Sequence, residues 1–406
     1  MAKLYYGWII LACVCCAGFA RQGPAVATLS IFVEPLTREF GWSRAALSGA
    51  VSAAGVLAAL IAPLLGPVLD RHGSRLALCG AVLVNATVLI LLSYTPSLLV
   101  FYLLFCIGRL SWAVPFDLGI YGAISNWFVE RRALAASAAT MAQMAGLVAM
   151  PLIAQLAIEH DSWRSGWLAL GVVTLVVGFV PCWLLLVRRP EDLGLEPARA
   201  PHARAEPRFS RRQALRVPAF WLLLAYTALV YPVQAGVSLH QAPHLVERGI
   251  DATTAALVVG TFSFMSGVGT FACGMLPRRL PVRFPLALAG ALLALGALLM
   301  TRIGSAADGY AAAAVFGLGI GGILTLLPVA WADYFGRENY GAIRGLALSA
   351  QVLAQATGPL AAGAFRDLTG DYGVPLYCFA ALSGASVLVA LAARAPALAT
   401  AAGARS

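Results

Sequence analysis

Apolar residues gather into long runs at about 7–35, 45–68, 75–94, 97–121, 133–157, 164–187, 218–240, 252–275, 284–302, 309–332, 342–365 and 374–393. Most reach or exceed the ~20 residues that carry a helix across a bilayer, and backbone polar groups left bare in lipid rule out open strands. The pattern predicts an all-α integral membrane protein of twelve spans, runs 1 to 12, with both ends of the chain on one side. Run 1 continues far past the ~7–15-residue apolar core of a cleaved signal, so Lys3 opens a first span and not a secretory leader. One stretch breaks the rhythm. Arg188 to Val217 carries 12 charges together with Pro190, Pro197, Pro201 and Pro207. Such a segment neither enters lipid nor builds a core, so a mobile cytosolic linker is predicted. The expected division is therefore 1–187, a six-helix bundle; 188–217, the linker; and 218–406, a second bundle with a short tail.

Composition agrees with that division. The 406 residues are 60% hydrophobic and 11% charged, with a mean hydropathy of +0.82. A soluble domain is about a quarter charged. The net charge of +10 raises the question of nucleic acid, but the basic residues fall between apolar runs and form no single stripe. With the amino terminus inside, the inner loops and tails hold 20 of the 28 Lys and Arg, against Arg38, Arg44, Arg164, Arg248, Arg302 and Arg366 outside. That asymmetry predicts cytoplasmic termini and no nucleic-acid partner. The eight cysteines lie inside apolar runs without zinc spacing, and read as packing residues. Asn85-Ala86-Thr87 matches a glycosylation acceptor but sits mid-membrane, where it would be inert.

The halves look like copies. Arg132 to Gly146 aligns without gaps on Arg344 to Gly358, with Arg132/Arg344, Ser137/Ser349, Gln143/Gln355 and Gly146/Gly358 among the identities. Parallel six-helix repeats place a substrate site at the interface of the halves. The rows Ala138/Ala142/Gly146 and Ala350/Ala354/Gly358 are expected to pack against helices of the opposite half.

The loop after run 2 reads Gly66-Pro-Val-Leu-Asp70-Arg71-His-Gly73-Ser-Arg75. It resembles the loop signature of the major facilitator superfamily, G-x-x-x-D-R-x-G-R-R, with Ser74 for the first terminal Arg. Asp70, ahead of run 3, would face a positive helix end and basic neighbours. The resemblance implies that Gly66, Asp70, Arg71, Gly73 and Arg75, with Arg131 and Arg132, latch a cytoplasmic gate against a helix of the other half. A basic loop that only sets topology is the plainer reading. The second-half loop carries Arg278 and Arg279 where the aspartate should stand, and reads as a degenerate copy.

Three strings carry a narrower resemblance. Tyr6-Gly7-Trp8, Glu34 to Arg44 with its Phe40-Gly-Trp-Ser-Arg44 junction, and Trp127-Phe128-Val-Glu-Arg131-Arg132-Ala-Leu-Ala135 are similar to the monocarboxylate transporters and the bacterial oxalate/formate exchangers. The similarity implies transport of small organic anions by proton symport or anion exchange. That group binds carboxylate through a lysine in helix 1 or charged residues in helices 8 and 11. Here the one lysine is Lys3, run 8 has no charge, and run 11 offers Gln351 and Gln355.

The residues supply a substitute. Arg21 stands about 14 residues, roughly 21 Å, above the inner end of run 1, and Arg109 about 12 residues, roughly 18 Å, above that of run 4. The two guanidiniums should therefore lie at nearly one depth. Lipid exposure there would cost at least ~2.5–3.5 kcal/mol each, so a wet cavity and an anion, gripped in bidentate fashion, are predicted. Two alternatives stay open. Arg109 also resembles the fourth-helix arginine of proton-coupled drug exporters, although Trp112, Ala113 and Val114 interrupt the glycine part, and Arg21 could snorkel outward. Asp117 is a candidate proton carrier or a helix-end acid paired with Arg131 or Arg132. In run 7, Tyr226, Tyr231 and Gln234 could hydrogen-bond a carboxylate, with Pro232 as a kink. His240 and His244 have metal-like spacing without a third ligand and read as outer-interface residues. Gly317, Gly319, Gly321, Gly322 and Pro328 in run 10 suit close packing or a gating bend.

Together these features point to a monomeric secondary carrier of small organic anions, monocarboxylates foremost, working by alternating access and seated in a bacterial inner membrane. Its partners are the anion, a proton or counter-anion, and lipids. No cofactor, metal or enzymatic constellation is expected. The rival readings are a proton-coupled exporter of amphiphilic compounds and a membrane sensor that binds without translocating.

Overall fold

A computed structural model of the chain describes residues 5–195, 207–276 and 280–396. Much of the expected linker, the Arg278–Arg279 pair and the last ten residues lie outside the described residues. Those described are almost wholly helical and contain no strand. In chain order the helices are α1 (Gly7–Ala20), α2 (Val26–Phe40), α3 (Arg44–His72), α4 (Ser74–Leu92), α5 (Leu98–Ala113), α6 (Pro115–Trp127), α7 (Arg132–His160), α8 (Trp163–Val173), α9 (Val180–Leu185), α10 (Arg211–Leu215), α11 (Pro218–Glu247), α12 (Ala252–Met275), α13 (Arg283–Thr301), α14 (Ala306–Phe335), α15 (Tyr340–Thr369) and α16 (Gly373–Ala392). Among the described residues ten segments are long and apolar enough to span a bilayer, with α5–α6 and α8–α9 each counted as one. The two other runs are the first, divided into α1 and α2, and the eleventh, α15, whose hydropathy is diluted by residues such as Gln351 and Gln355. Leu60, Leu64, Val148, Leu360 and Leu388 are 68% to 73% exposed. Apolar side chains so bare call for lipid as the surrounding medium.

The chain clusters into two compact units, Met1–Ala203 with Asn339–Ser349, and Arg204–Glu338 with Ala350–Ser406. The first turns of α15 thus belong with the first unit and its remainder with the second. A cut between two sequence halves misses this sharing, which rests on contacts of α15 with α3 and α6 described below.

Three runs expected as continuous helices are broken. Run 1 stops at Ala20 and resumes at Val26, because Gly23 and Pro24 interrupt the hydrogen-bond ladder. The Ala20 carbonyl at the end of α1 accepts from the Gly23 amide and from Thr174 Oγ1, each at 3.4 Å. Run 4 breaks at Val114, ahead of Pro115 at the start of α6. Run 6 passes through a π-helical stretch, Thr174–Phe179, just before Pro181. By contrast α11 and α14 run on through Pro232 and Pro328.

The strings behind the narrower resemblance have structural roles. At the 40–44 junction Gly41 (φ 69°) ends α2, and Ser43 caps α3 by accepting from the Ala46 amide at 3.1 Å. Phe40 stacks on Trp42 (4.4 Å between centroids). Tyr5, Tyr6 and Trp8 meet Trp127 and Phe128 in one aromatic cluster, pinned by a bond from the Tyr5 hydroxyl to the Trp127 carbonyl (2.8 Å).

The glycines at the ends of the small-residue rows pack inside their own units. A Cβ on Gly146 would strike the Phe19 backbone of α1, and one on Gly358 the Pro232 backbone of α11. That corrects the expectation of a row facing the opposite half: the row's glycine is needed where span 5 crosses span 1, and again where span 11 crosses span 7. In α14 the glycines divide between two neighbours, Gly317 and Gly321 against α12, Gly319 and Gly322 against α13.

Candidate functional site

In the first unit, the interruptions at 21–25 and at Val114 bring the predicted arginines together. The Arg21 Cζ lies 4.4 Å from the Trp112 ring centroid and the Arg109 Cζ lies 4.1 Å from it. One indole therefore receives both guanidiniums. Arg109 Nη1 also donates to the Pro24 carbonyl (3.4 Å), an acceptor freed by the break, and Trp112 Nε1 donates to Gln22 Oε1 (3.1 Å). Neither contact to Arg109 is anionic.

Arg21 Nη1 donates to Gln143 Oε1 at 2.7 Å. A relay holds that amide in place. Gln143 Nε2 donates to the Ala139 carbonyl (3.3 Å) and the Tyr121 hydroxyl (3.5 Å). Thr140 Oγ1 is committed to the Ala136 carbonyl (2.9 Å), so the Tyr121 hydroxyl donates to Thr140 (3.0 Å). The Gln143 oxygen is thereby left facing Arg21. Arg21 itself is 6% exposed, which excludes snorkelling to the outer surface. Asn85, fully buried on α4, lies beside the same break, and its amide has no hydrogen-bond partner among the described residues.

Nothing in the sequence gives Gln22 a role, and Asn85 stands there only as an inert glycosylation acceptor. The available signals were Gly23-Pro24 and Pro115, which announce interruptions at matching depth in two cavity-type helices. Trp112 was read only as a flaw in a glycine motif.

The second unit repeats part of this arrangement without the charges. Gln355 Nε2 donates to Gln234 Oε1 at 3.2 Å, as Gln143 pairs with Arg21. Gln351 on the same helix is half-buried, and Tyr231 is 2% exposed. The Tyr226 hydroxyl is buried and donates to the Leu286 carbonyl of α13 (2.8 Å). His240 Nε2 faces the Pro359 carbonyl and so carries the proton, leaving Nδ1 to accept from the Tyr372 hydroxyl (both 3.1 Å). His244 Nε2 donates to the Met300 carbonyl (2.8 Å), so these rings are spent on packing.

The latch residues divide as well. Asp70 stands in the last turn of α3, and the positive helix end it faces is that of α15 and not that of α4. Its Oδ1 accepts from the Gly341 amide (2.8 Å) and its Oδ2 from the Ala342 amide (2.7 Å). Backbone approach makes this reach possible: a Cβ on Gly66 would collide with Gly341, and Ser349 Oγ donates to the Ala59 carbonyl (2.6 Å). Gly73 (φ 85°) turns the chain into α4. Arg75 donates to the Trp183 carbonyl (2.9 Å), and Arg188 to the Asp70 and Arg71 carbonyls (3.3 and 3.2 Å). Arg71 and Arg131 are exposed. Arg132 is buried and donates to the Ser125 carbonyl (3.1 Å). Asp117 lies 3.6 Å from Arg344 on α15, where Arg131 or Arg132 was the expected partner. The repeat supplies the explanation, since Arg344 is the second-half equivalent of Arg132.

A family model described as Major Facilitator Superfamily matches residues 10–359. The chain belongs to that superfamily. Among its relatives is monocarboxylate transporter 11 of Mus musculus, 30% identical and covering 95% of this chain and 87% of the relative. Another is the membrane sensor protein UhpC of Salmonella typhimurium, 27% identical over 69% of this chain and 67% of its own. Among solved structures, a bacterial homologue of the iron transporter ferroportin in its outward-facing state superposes with a TM-score of 0.74 at 18% identity, over 96% of this chain and 99% of that one. This likeness shows the shared fold. The protein is thus a multi-span membrane transporter of the major facilitator type, with monocarboxylate transporters among its relatives, and not an enzyme.

Proposed function

We propose that this major facilitator carries small organic anions, monocarboxylates foremost, by alternating access driven by proton symport or anion exchange. The observation that carries the reading is the gathering of Arg21 and Arg109 on one indole, with Arg109 held by a carbonyl and a ring. Cationic cargo would meet like charge in a poorly hydrated site, which disfavours the exporter of cationic amphiphiles. Within the second unit, the paired amides Gln234 and Gln355, with Gln351 and Tyr231, are neutral groups that could hydrogen-bond a carboxylate without a buried charge. The relatives' names support the same substrate class.

Asp70 on the end of α15 and the Asp117–Arg344 pair would form the gate on the arginine-rich side. Asp117 is the candidate proton site, because taking up a proton there would loosen its hold on Arg344. The arginine distribution supports cytoplasmic termini, and the alanine bias with 27 arginines to one lysine supports a bacterial inner membrane.

Counterflow of a radiolabelled short-chain monocarboxylate in proteoliposomes tests the proposal. Arg21→Gln and Arg109→Gln are each expected to abolish exchange while leaving folded protein in the bilayer. Wild-type rates from both variants overturn the clamp. The sensor reading, favoured by the likeness to UhpC, predicts no ligand-dependent exchange by the wild type.

A further inference from the structure

The first unit also holds a cavity of about 390 Å³ that none of the proposed transport steps uses. Its walls come from α3 (Leu65, Val68, His72), α4 (Leu76, Gly80, Val84), the end of α5 and the start of α6. It exists for two reasons. Ala77, Gly80 and Ala81 give α4 a wall without bulk, and the break at Val114 turns Pro115 and Leu118 away from the line of α5. Ser111 is on the wall, but its hydroxyl donates to the Ala81 carbonyl (3.0 Å). The lining is therefore apolar along its length except for His72 at one end.

That end is strongly basic. Arg71, His72, Arg75 and Arg188 surround the Gly73 turn, while the nearest acid, Asp70, is committed to the amides of α15. His72 Nδ1 donates to the Val68 carbonyl (3.0 Å), which leaves the Nε2 lone pair for a hydroxyl donor, and the charge of the exposed Arg71 stands beside it. From Leu76 to Val84 the groove follows α4 for about 12 Å, most of a leaflet's ~15 Å of hydrocarbon. Val68, Leu76, Val84 and Ile107 are 42% to 60% exposed along it, so it opens onto the lipid-facing surface.

We infer that this groove retains one acyl chain of an anionic phospholipid, with the headgroup phosphate at the Arg71–His72 end. Occupancy would fill space that helix packing leaves empty, and the basic end would select the headgroup by charge. The site is separate from the Arg21–Arg109 cluster, so it stands whether or not the cargo is a carboxylate.

Native mass spectrometry of the full detergent-purified chain, offered equal phosphatidylglycerol and phosphatidylcholine, tests it. One phosphatidylglycerol adduct is expected. An added Cβ at Gly80 meets nothing within 4 Å, so Gly80→Leu extends a side chain into the groove. Leucine is also the better helix former, so the variant should fold. The adduct should fall about ten-fold in Gly80→Leu, because the new side chain displaces two or more buried methylenes. Gly384→Leu on α16, where a Cβ is equally unopposed, should keep the adduct. An Arg71→Gln, His72→Gln double variant should still bind lipid but take both headgroups alike. Phosphatidylglycerol should raise the melting temperature of the wild type and leave that of Gly80→Leu unmoved. A wild-type adduct level in Gly80→Leu, or equal retention of the two lipids by the wild type, overturns the inference.

Discussion

The Cζ atoms of Arg21 and Arg109 cannot be farther apart than the sum of the two distances that tie them to the Trp112 centroid. At such a spacing their repulsion is on the order of 2 kcal/mol for an effective dielectric near 20. A cation–π contact returns about 0.5–2 kcal/mol, so the shared ring offsets much of that cost and keeps both charges near one point. On the proposed reading Trp112 sets the width of an anion clamp. Trp112→Phe keeps a ring but loses the Nε1–H bond to Gln22, and should raise the KM for a monocarboxylate severalfold. Trp112→Leu should raise it by about ten-fold or more, since both ring contacts go. Equal KM values in transport assays would remove Trp112 from the clamp. A second residue-scale prediction concerns Glu39, which accepts from Trp163 Nε1 (2.5 Å) and Arg164 Nη2 (2.7 Å). Those donors hold its carboxyl below the usual glutamate range. A depressed value means the stabilisation is present at neutral pH and lost as pH falls through the folded-state value. The melting difference between wild type and Glu39→Gln, small because the pair is partly exposed, should shrink as pH falls below the usual glutamate range and vanish once pH is below the lowered folded-state value.

Helix interruptions decide where chemistry can occur. An intact α-helix has its carbonyls bonded internally, whereas the break at 21–25 frees the Pro24 carbonyl for Arg109 and turns Gln22 toward Trp112. The depth match of the arginines was legible from counting residues at 1.5 Å each. Their common partner was not, because the rotation of one helix about its axis relative to another is a packing outcome. Asp70 illustrates the same limit. Its motif marked it as a latch, yet the helix that accepts it lies about 270 residues away in sequence, at Gly341 and Ala342. Asp70→Asn should lower the melting temperature modestly, as expected from losing a charge worth about 0.3–2 kcal/mol at a helix amino terminus. Gly66→Leu should be worse than Asp70→Asn, since its side chain would push α15 off α3. Protease or cysteine-labelling access near residues 341–345 should rise in both. No change in either variant would mean that α15 is not held by this contact.

The two units use one plan with different charge. Gln143 meets Arg21 in the first and Gln355 meets Gln234 in the second, at matching places where spans 5 and 11 cross spans 1 and 7. Duplication therefore preserved the packing and let the electrostatics diverge, concentrating cationic groups in one half. The Asp117–Arg344 pair, buried to 10% and 1% side-chain exposure, joins α6 to the first turns of α15. Breaking a buried pair from one side leaves an uncompensated charge, so Asp117→Asn should destabilise the fold and, on the proposed coupling, stop substrate accumulation under a proton gradient. An Asp117→Asn carrier that still concentrates substrate under proton drive removes it as the proton site. Restoring accumulation by also changing Arg344→Gln would place its role in gating.

Span number, the similar halves, the uneven distribution of arginine and the residue types of the proposed clamp follow from the sequence, because bilayer thickness and the cost of burying charge act on each segment by itself. The strings that pointed to a family did so through turn and cap chemistry, as at Gly41 and Ser43, which is equally local. Which ring receives the two guanidiniums, which amides Asp70 caps, and which arginine meets Asp117 were decided only in three dimensions. Each of those depends on how helices rotate and cross, and that is set by the fit of many side chains at once, Gly66 on Gly341 and Gly146 on Phe19 among them.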